Sequence, residues 1–96
     1  MPTIKVRFFG LRELTSQIGD DDFDVQLEGN TFGEALSQME TTFGLPFRKA
    51  ILNSNGAVNE TIQVVKNEDE WLSRDGFDYR LHDGDQLFFF MMIAGG

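Results

Sequence analysis

Cysteine is absent from the 96 residues, which excludes disulfides, thiolate metal sites and any thioester or persulfide carried on a side chain of this protein. Cations are scarce as well: eight Lys and Arg stand against sixteen Asp and Glu, a net charge of -8. They are scattered rather than gathered into a stripe, so the chain repels phosphate backbones and anionic membranes, and neither a nucleic-acid nor a membrane partner is expected. A basic protein groove is the natural complement. The single histidine, His82, has no Ser, Cys or carboxylate spaced to join it in a catalytic group, and it reads as a surface turn residue. Long apolar runs are missing too. Residues 1–5 lack the core of a signal peptide, and the stretch 87–94 is far too short to span a bilayer, so a soluble cytoplasmic protein is expected.

What remains is an ordinary globular balance, 41% hydrophobic and 25% charged residues, in a length that supports one core and hence one domain over residues 1–96. Ten phenylalanines supply much of the apolar area. Residues 3–9 place Ile4, Val6 and Phe8 on one side and Lys5, Arg7 and Phe9 on the other, the period of a half-buried strand. Leu11, Leu14, Thr15 and Ile18 then follow helical spacing up to Gly19. A second strand is predicted over residues 22–28, where Phe23, Val25 and Leu27 alternate with Asp24, Gln26 and Glu28.

Thr31 with Glu34 forms a capping-box pattern, and Phe32, Ala35, Leu36, Met39 and Phe43 share one helical face before Gly44 and Pro46, which are expected to end that helix. Residues 47–59 give a mixed signal leading into a turn cluster at 53–56. A third strand is expected at 61–66, and turns with a short strand near 77–79 in the polar segment 67–80. Asp83-Gly84-Asp85 is a tight-turn signal that launches an apolar strand over residues 86–93. Two strands, a helix and two or three further strands make an α+β fold, in which one main helix covers a mixed sheet of four to five strands.

The strand 86–93 leads into Ala94-Gly95-Gly96, where the sequence stops. Leu81-His82-Asp83-Gly84-Asp85-Gln86-Leu87-Phe88-Phe89-Phe90 followed by this diglycine resembles the C-terminal signature of the MoaD/ThiS-like sulfur carriers, and Ile4-Lys5-Val6-Arg7-Phe8-Phe9 with Leu11-Arg12-Glu13-Leu14 resembles their first strand and helix. The resemblance is nearest to MoaD, the molybdopterin synthase small subunit, with Urm1 and the small archaeal modifiers as relatives. It implies a ubiquitin-like β-grasp fold. Met91-Met92 stands where family tails commonly carry a proline pair, and the segment around Trp71 is longer than in the smallest members.

The resemblance also implies a chemistry. Gly96, preceded by Gly95, would be adenylated by an E1-like enzyme of the MoeB/ThiF type at the expense of that enzyme's ATP. It would then become a thiocarboxylate that donates sulfur, in molybdopterin synthesis to a large subunit of the MoaE type. No bound cofactor, metal or catalytic residue of the chain's own is expected; it acts as a cosubstrate. Transfer of sulfur to tRNA, conjugation to lysines and a purely non-covalent β-grasp interaction module are the alternatives.

Alternation along the last strand turns Leu87 and Phe89 inward and Phe88 and Phe90 outward, on the same side as Phe9. Exposed aromatics grouped on a sheet mark a partner surface; the competing possibility is that residues 67–80 cover them. The family equivalent of this surface docks the adenylating enzyme and the sulfur acceptor, with Met91, Met92, Ile93 and Ala94 continuing it toward the tail. Asp20, Asp22 and Asp24 lack the glycine and final glutamate of a calcium loop and read as a solvated acidic turn. Glu68, Asp69 and Glu70 read as a hydrated loop.

Overall fold

The computed structural model describes residues 1–91. Strand β1 (Thr3–Phe9) buries Ile4, Val6 and Phe8 and turns Lys5, Arg7 and Phe9 outward, as the alternation requires. Helix α1 (Arg12–Ile18) stops at Gly19, whose φ of 94° is left-handed and whose N–H donates to the Thr15 carbonyl at 2.9 Å. Strand β2 (Asp22–Gln26) runs antiparallel to β1 and is two residues shorter than its alternation suggests. The ladder stops at Thr3↔Gln26 because β1 begins there. Leu27 is nevertheless buried, its N–H donating to the Pro2 carbonyl at 2.8 Å.

Helix α2 (Phe32–Phe43) opens on the predicted capping box: the Thr31 hydroxyl accepts from the Glu34 N–H and the Glu34 carboxylate accepts from the Thr31 N–H, both at 3.2 Å. The backbone N–H of Asn30 and the Thr31 hydroxyl hold the Glu34 carboxyl below its ordinary pKa. Gly44 ends this helix, but Pro46 does not merely terminate it. Pro46 sits in the first turn of a further helix, α3 (Leu45–Ile51), where a missing N–H costs nothing and the fixed φ is favourable. The mixed signal of residues 47–51 is therefore a short helix that buries Phe47 and Ile51.

Strands β3 (Ile62–Lys66), β4 (Glu70–Leu72) and β5 (Gln86–Met91) complete a five-stranded sheet in the order β2-β1-β5-β3-β4. Strand β5 is central, parallel to β1 and antiparallel to β3. The short strand expected near residues 77–79 lies instead at β4, because Gly76 and its neighbours make turns: the Phe77 N–H donates to the Asp75 carbonyl and the Tyr79 N–H to the Gly76 carbonyl. The carbonyls of Tyr79 and Phe77 then accept from the N–H groups of Phe32 and Gly33, satisfying the free donors of the first turn of α2.

The helices lie on one side of the sheet. There Phe8 meets Phe23, Phe43, Phe47 and Phe89 with ring centroids 5.5 to 6.4 Å apart, most of them edge to face, and the rings join the aliphatic core. Full burial of a ring such as Phe8, Phe47 or Phe89 contributes about 1.5–3 kcal/mol, and the partly buried Phe23 and Phe43 contribute less. No helix among the described residues is long and apolar enough to cross a membrane.

Candidate functional site

The turn that introduces β5 is built so that each polar residue fastens a different strand. Leu81 is buried in the core, and Gly84, at φ 89°, takes a left-handed conformation that a side chain would strain. Its N–H donates to the Thr3 carbonyl at 2.9 Å, and the Asp83 carboxylate accepts the Thr3 N–H at 2.8 Å, tying the turn to the start of β1. Asp85 is 9% exposed. It accepts the Asn67 Nδ2 donor at 2.9 Å and the His82 N–H at 2.8 Å, and Lys66 Nζ lies 4.0 Å away. Burial pushes the Asp85 pKa up, but the Asn67 and His82 hydrogen bonds and the Lys66 charge outweigh it, holding the carboxyl below its ordinary range.

Asn67 closes the same lock from the other side, its Oδ1 accepting the Gln86 N–H and its own N–H donating to the Gln86 carbonyl, both at 2.9 Å. The Lys5 N–H, donating to the Asp85 carbonyl, adds β1 to the lock. The Leu-x-Asp-Gly-Asp motif is thus a latch that sets β5 between β1 and β3.

From this latch β5 runs with Leu87 and Phe89 fully buried against the helices and Phe88 and Phe90 half-buried on the opposite face. Phe9, 49% exposed, stacks on Phe88 with centroids 5.8 Å apart and planes 19° apart. Trp71 of β4 meets Phe90 edge to face, also at 5.8 Å. Between them Val65, opposite both Phe88 and Trp71 in the ladder, is buried on the same face. A band of four rings therefore crosses the outer face. Beside it Arg7 pairs with Asp22 at 3.3 Å and Lys5 with Asp24 at 3.9 Å, so the outward charges of β1 and β2 cancel.

Phe9, Phe88 and Phe90 are thus brought together on one face, as alternation predicts. Of the segment 67–80, Trp71 is the residue that reaches them, while Leu72 turns into the core and the backbone of Phe77 and Tyr79 caps α2. Trp71 belongs to the site and was not among the predicted residues. The signal available was a lone tryptophan in a polar stretch; its pairing with Val65 is a long-range fact. Met91, 48% exposed, ends β5 opposite Ile62, and its alternation matches Leu87 and Phe89 rather than Phe90. Met92, Ile93, Ala94, Gly95 and Gly96 lie outside the described residues.

The other candidates find structural employment. Asp22 and Asp24 are the ion-pair partners of β1, and Asp20 accepts the Asp21 N–H. The exposed His82 places Nδ1 3.8 Å from Asp85. Glu70 is in β4 rather than a loop and pairs with Lys66 at 3.3 Å. A cleft of about 610 Å³ opens between the loop bearing Asn53 and Asn59 and the turn bearing Arg74. In it Ser73 Oγ donates to Asp75 Oδ1 at 2.8 Å, an exposed turn contact.

No protein-family model and no curated protein sequence matches the chain. Solved structures do. The crystal structure of SAMP1 from Haloferax volcanii has 22% identity to the chain and a TM-score of 0.73, over 98% of this chain and 99% of that one. Urm1 from Trypanosoma brucei gives 22% identity and a TM-score of 0.74, over 98% and 95%. The BexX/CysO complex of Amycolatopsis orientalis gives 23% identity and 0.73, over 97% and 99%. The chain has the ubiquitin-like β-grasp fold of these proteins, in agreement with the MoaD/ThiS-like resemblance of its two ends.

Proposed function

We propose that this protein is a carrier whose reactive group is the Gly96 carboxylate, loaded with sulfur by an adenylating enzyme that docks on the aromatic face. The observation that carries the reading is the course of β5. A latched central strand displays Phe88 and Phe90 outward up to Met91, and in the sequence Met92-Ile93-Ala94-Gly95-Gly96 follows. Full-length likeness to a SAMP1, a Urm1 and the CysO complex supports it. One protein surface would then hold a partner while the following residues enter that partner's active site.

A carboxylate is a poor electrophile, so activation is required. Attack of the Gly96 carboxylate on the α-phosphorus of ATP expels pyrophosphate and leaves an acyl-adenylate. The terminal sulfur of a partner's persulfide attacks the acyl carbon, forming a carbon–sulfur bond and expelling AMP. A second thiol then attacks the partner sulfur of the resulting acyl disulfide, which breaks the persulfide's original sulfur–sulfur bond, leaves a disulfide on the partner and releases a thiocarboxylate at Gly96. Glycine suits the last two positions because a backbone without Cβ can thread a narrow channel in conformations other residues disfavour. The acceptor we favour is a molybdopterin precursor held by a synthase large subunit, because the Leu-x-Asp-Gly-Asp turn and diglycine together resemble that branch most. Conjugation to lysine is the second reading, favoured by the likeness to a SAMP1.

The test is incubation with ATP and purified adenylating enzymes, followed by intact-mass analysis. An AMP adduct on Gly96, and after sulfur transfer replacement of one carboxyl oxygen by sulfur, are expected. Deleting Gly96 should abolish both without changing the melting temperature, since terminal residues contribute little burial. Adenylation that persists in the deletion variant would refute the assignment.

A further inference from the structure

We infer that the β3–β4 hairpin is a partner-selecting element: Trp71 is its anchor, the exposed carboxylates of Glu68 and Asp69 supply its charge, and the enzyme that activates the tail receives them in an apolar recess flanked by lysine or arginine. The inference rests on the docking role proposed above and names the chemistry of the partner. Trp71 is 58% exposed on a three-residue edge strand, and one flank of its indole is covered by Phe90 while the rest faces solvent. Large rings left in water beside further rings form a contact surface, and tryptophan is among the commonest interface anchors.

The hairpin is held rigidly enough to serve as one. Its turn is tied to β5 by the three Asn67 hydrogen bonds, and the Lys66–Glu70 and Lys66–Asp85 pairs brace its two strands from below. A side chain presented from such a base loses little freedom on binding. The turn itself places a non-glycine residue, Glu68, at φ 77°, where glycine would be unstrained. Asn67 beside it also has a positive φ and is accounted for by its hydrogen bonds to Asp85 and Gln86, whereas the exposed Glu68 carboxylate has no ion-pair partner among the described residues to account for it.

Charge selects the partner. The outward charges of β1 and β2 cancel, and Glu70 is taken up by Lys66. Glu68 and Asp69 are exposed and enter no ion pair among the described residues, so the uncompensated charge next to Trp71 belongs to this turn. The matching surface is basic. A second copy of the chain, itself at -8, is the wrong occupant.

Trp71 is the sole tryptophan, so a chain labelled with 5-fluorotryptophan shows one fluorine resonance. Titrating it with the unlabelled adenylating enzyme that charges the wild-type chain should shift or broaden that resonance. In the charging reaction Trp71→Ala should raise the KM for the chain about tenfold or more with kcat little changed, because the contact is made equally before and during chemistry. Trp71→Phe, which keeps a ring against Phe90, should raise it less and decides the matter if the alanine variant melts early. Glu68→Gly should raise KM by about threefold at low salt while leaving the melting temperature equal or higher, a split that a merely structural role would not produce.

A KM within about twofold of wild type for both Trp71 variants, with charging intact, overturns the hairpin's role and leaves the carrier reading standing. Failure of every adenylating enzyme to charge the wild-type chain overturns that reading and this inference with it. A fluorine shift that depends on the concentration of the chain alone would assign Trp71 to self-association and reject the basic partner.

Discussion

Phe89 and Phe90 are adjacent, chemically identical and on the same strand, yet one is a fully buried part of the core and the other lies half-buried on the outer face of the sheet. The pleat alone separates them, and a slip of one residue in the ladder would exchange every side chain of β5 between the two faces. A run of three phenylalanines gives the ladder little basis for preferring one register. What distinguishes the registers is the turn before it. Asp85 and Asn67 can meet their partners only when Lys5 lies opposite Gln86 and Lys66 opposite Leu87. The two faces teach that the side chains a strand displays outward can be specified by a polar lock at one end of it rather than by the residues along it.

The widest gap between the faces should appear in stability. Phe89→Ala removes a buried ring and should cost about 3–5 kcal/mol, whereas Phe90→Ala should cost a small fraction of that. Urea unfolding of the two variants measures the difference. Phe90→Asp should in turn weaken enzyme binding by about 2 kcal/mol while the fold survives, an outcome seen by calorimetric titration. Equal destabilisation by the two alanine changes would mean that the inner and outer assignments are wrong.

The lock itself comes next. Asp85→Ala strands the donors of Asn67 and His82 and leaves Lys66 short of a partner, and should cost about 1–3 kcal/mol. Line broadening in β5 amide spectra would reveal a register no longer unique. Because the folded pKa of Asp85 is depressed, its contribution is complete above the ordinary value of 3.8 and is lost as pH falls through the lower folded value. Acid unfolding followed by circular dichroism should therefore show a smaller loss below that value in Asp85→Asn than in the wild type.

The smallest effect concerns charge around the aromatic band. The outward charges beside the band are balanced, so steering comes from carboxylates at its margins and is screened over roughly 8 Å at physiological ionic strength. Raising salt should slow association with the adenylating enzyme more than it speeds dissociation, as stopped-flow mixing would record. A salt-indifferent association rate would leave the acidity a matter of solubility.

Much of this was legible in the residues because it is local. Strand alternation marked β1 and the facing of β5, and Thr31 with Glu34 marked the start of α2. Pro46 obscured α3, since the same residue that stops one helix is welcome in the first turn of another. Strand β4 was hidden because three residues carry no period, and its existence depends on pairing with Val64, Val65 and Lys66. For the same reason Asp85 read as a turn residue, when its partner Asn67 stands eighteen positions away. Trp71 joins the site by that route too.

The parallel pairing of β1 with β5 carries a consequence for how the chain reaches this state. Lys5 meets Gln86 and Phe9 meets Phe90 across nearly the whole sequence, so the centre of the sheet closes only after every other element has been made. Contacts of such high order slow folding, because the loop entropy is lost before the pairing is gained. Until residues 86–91 arrive, β1 and β3 each keep an open edge where the central strand belongs, and the outer aromatic band is incomplete. Under the proposed function, an unfinished chain on the ribosome would have no docking face to offer, and recognition by an activating enzyme would double as a check that this central strand has been added.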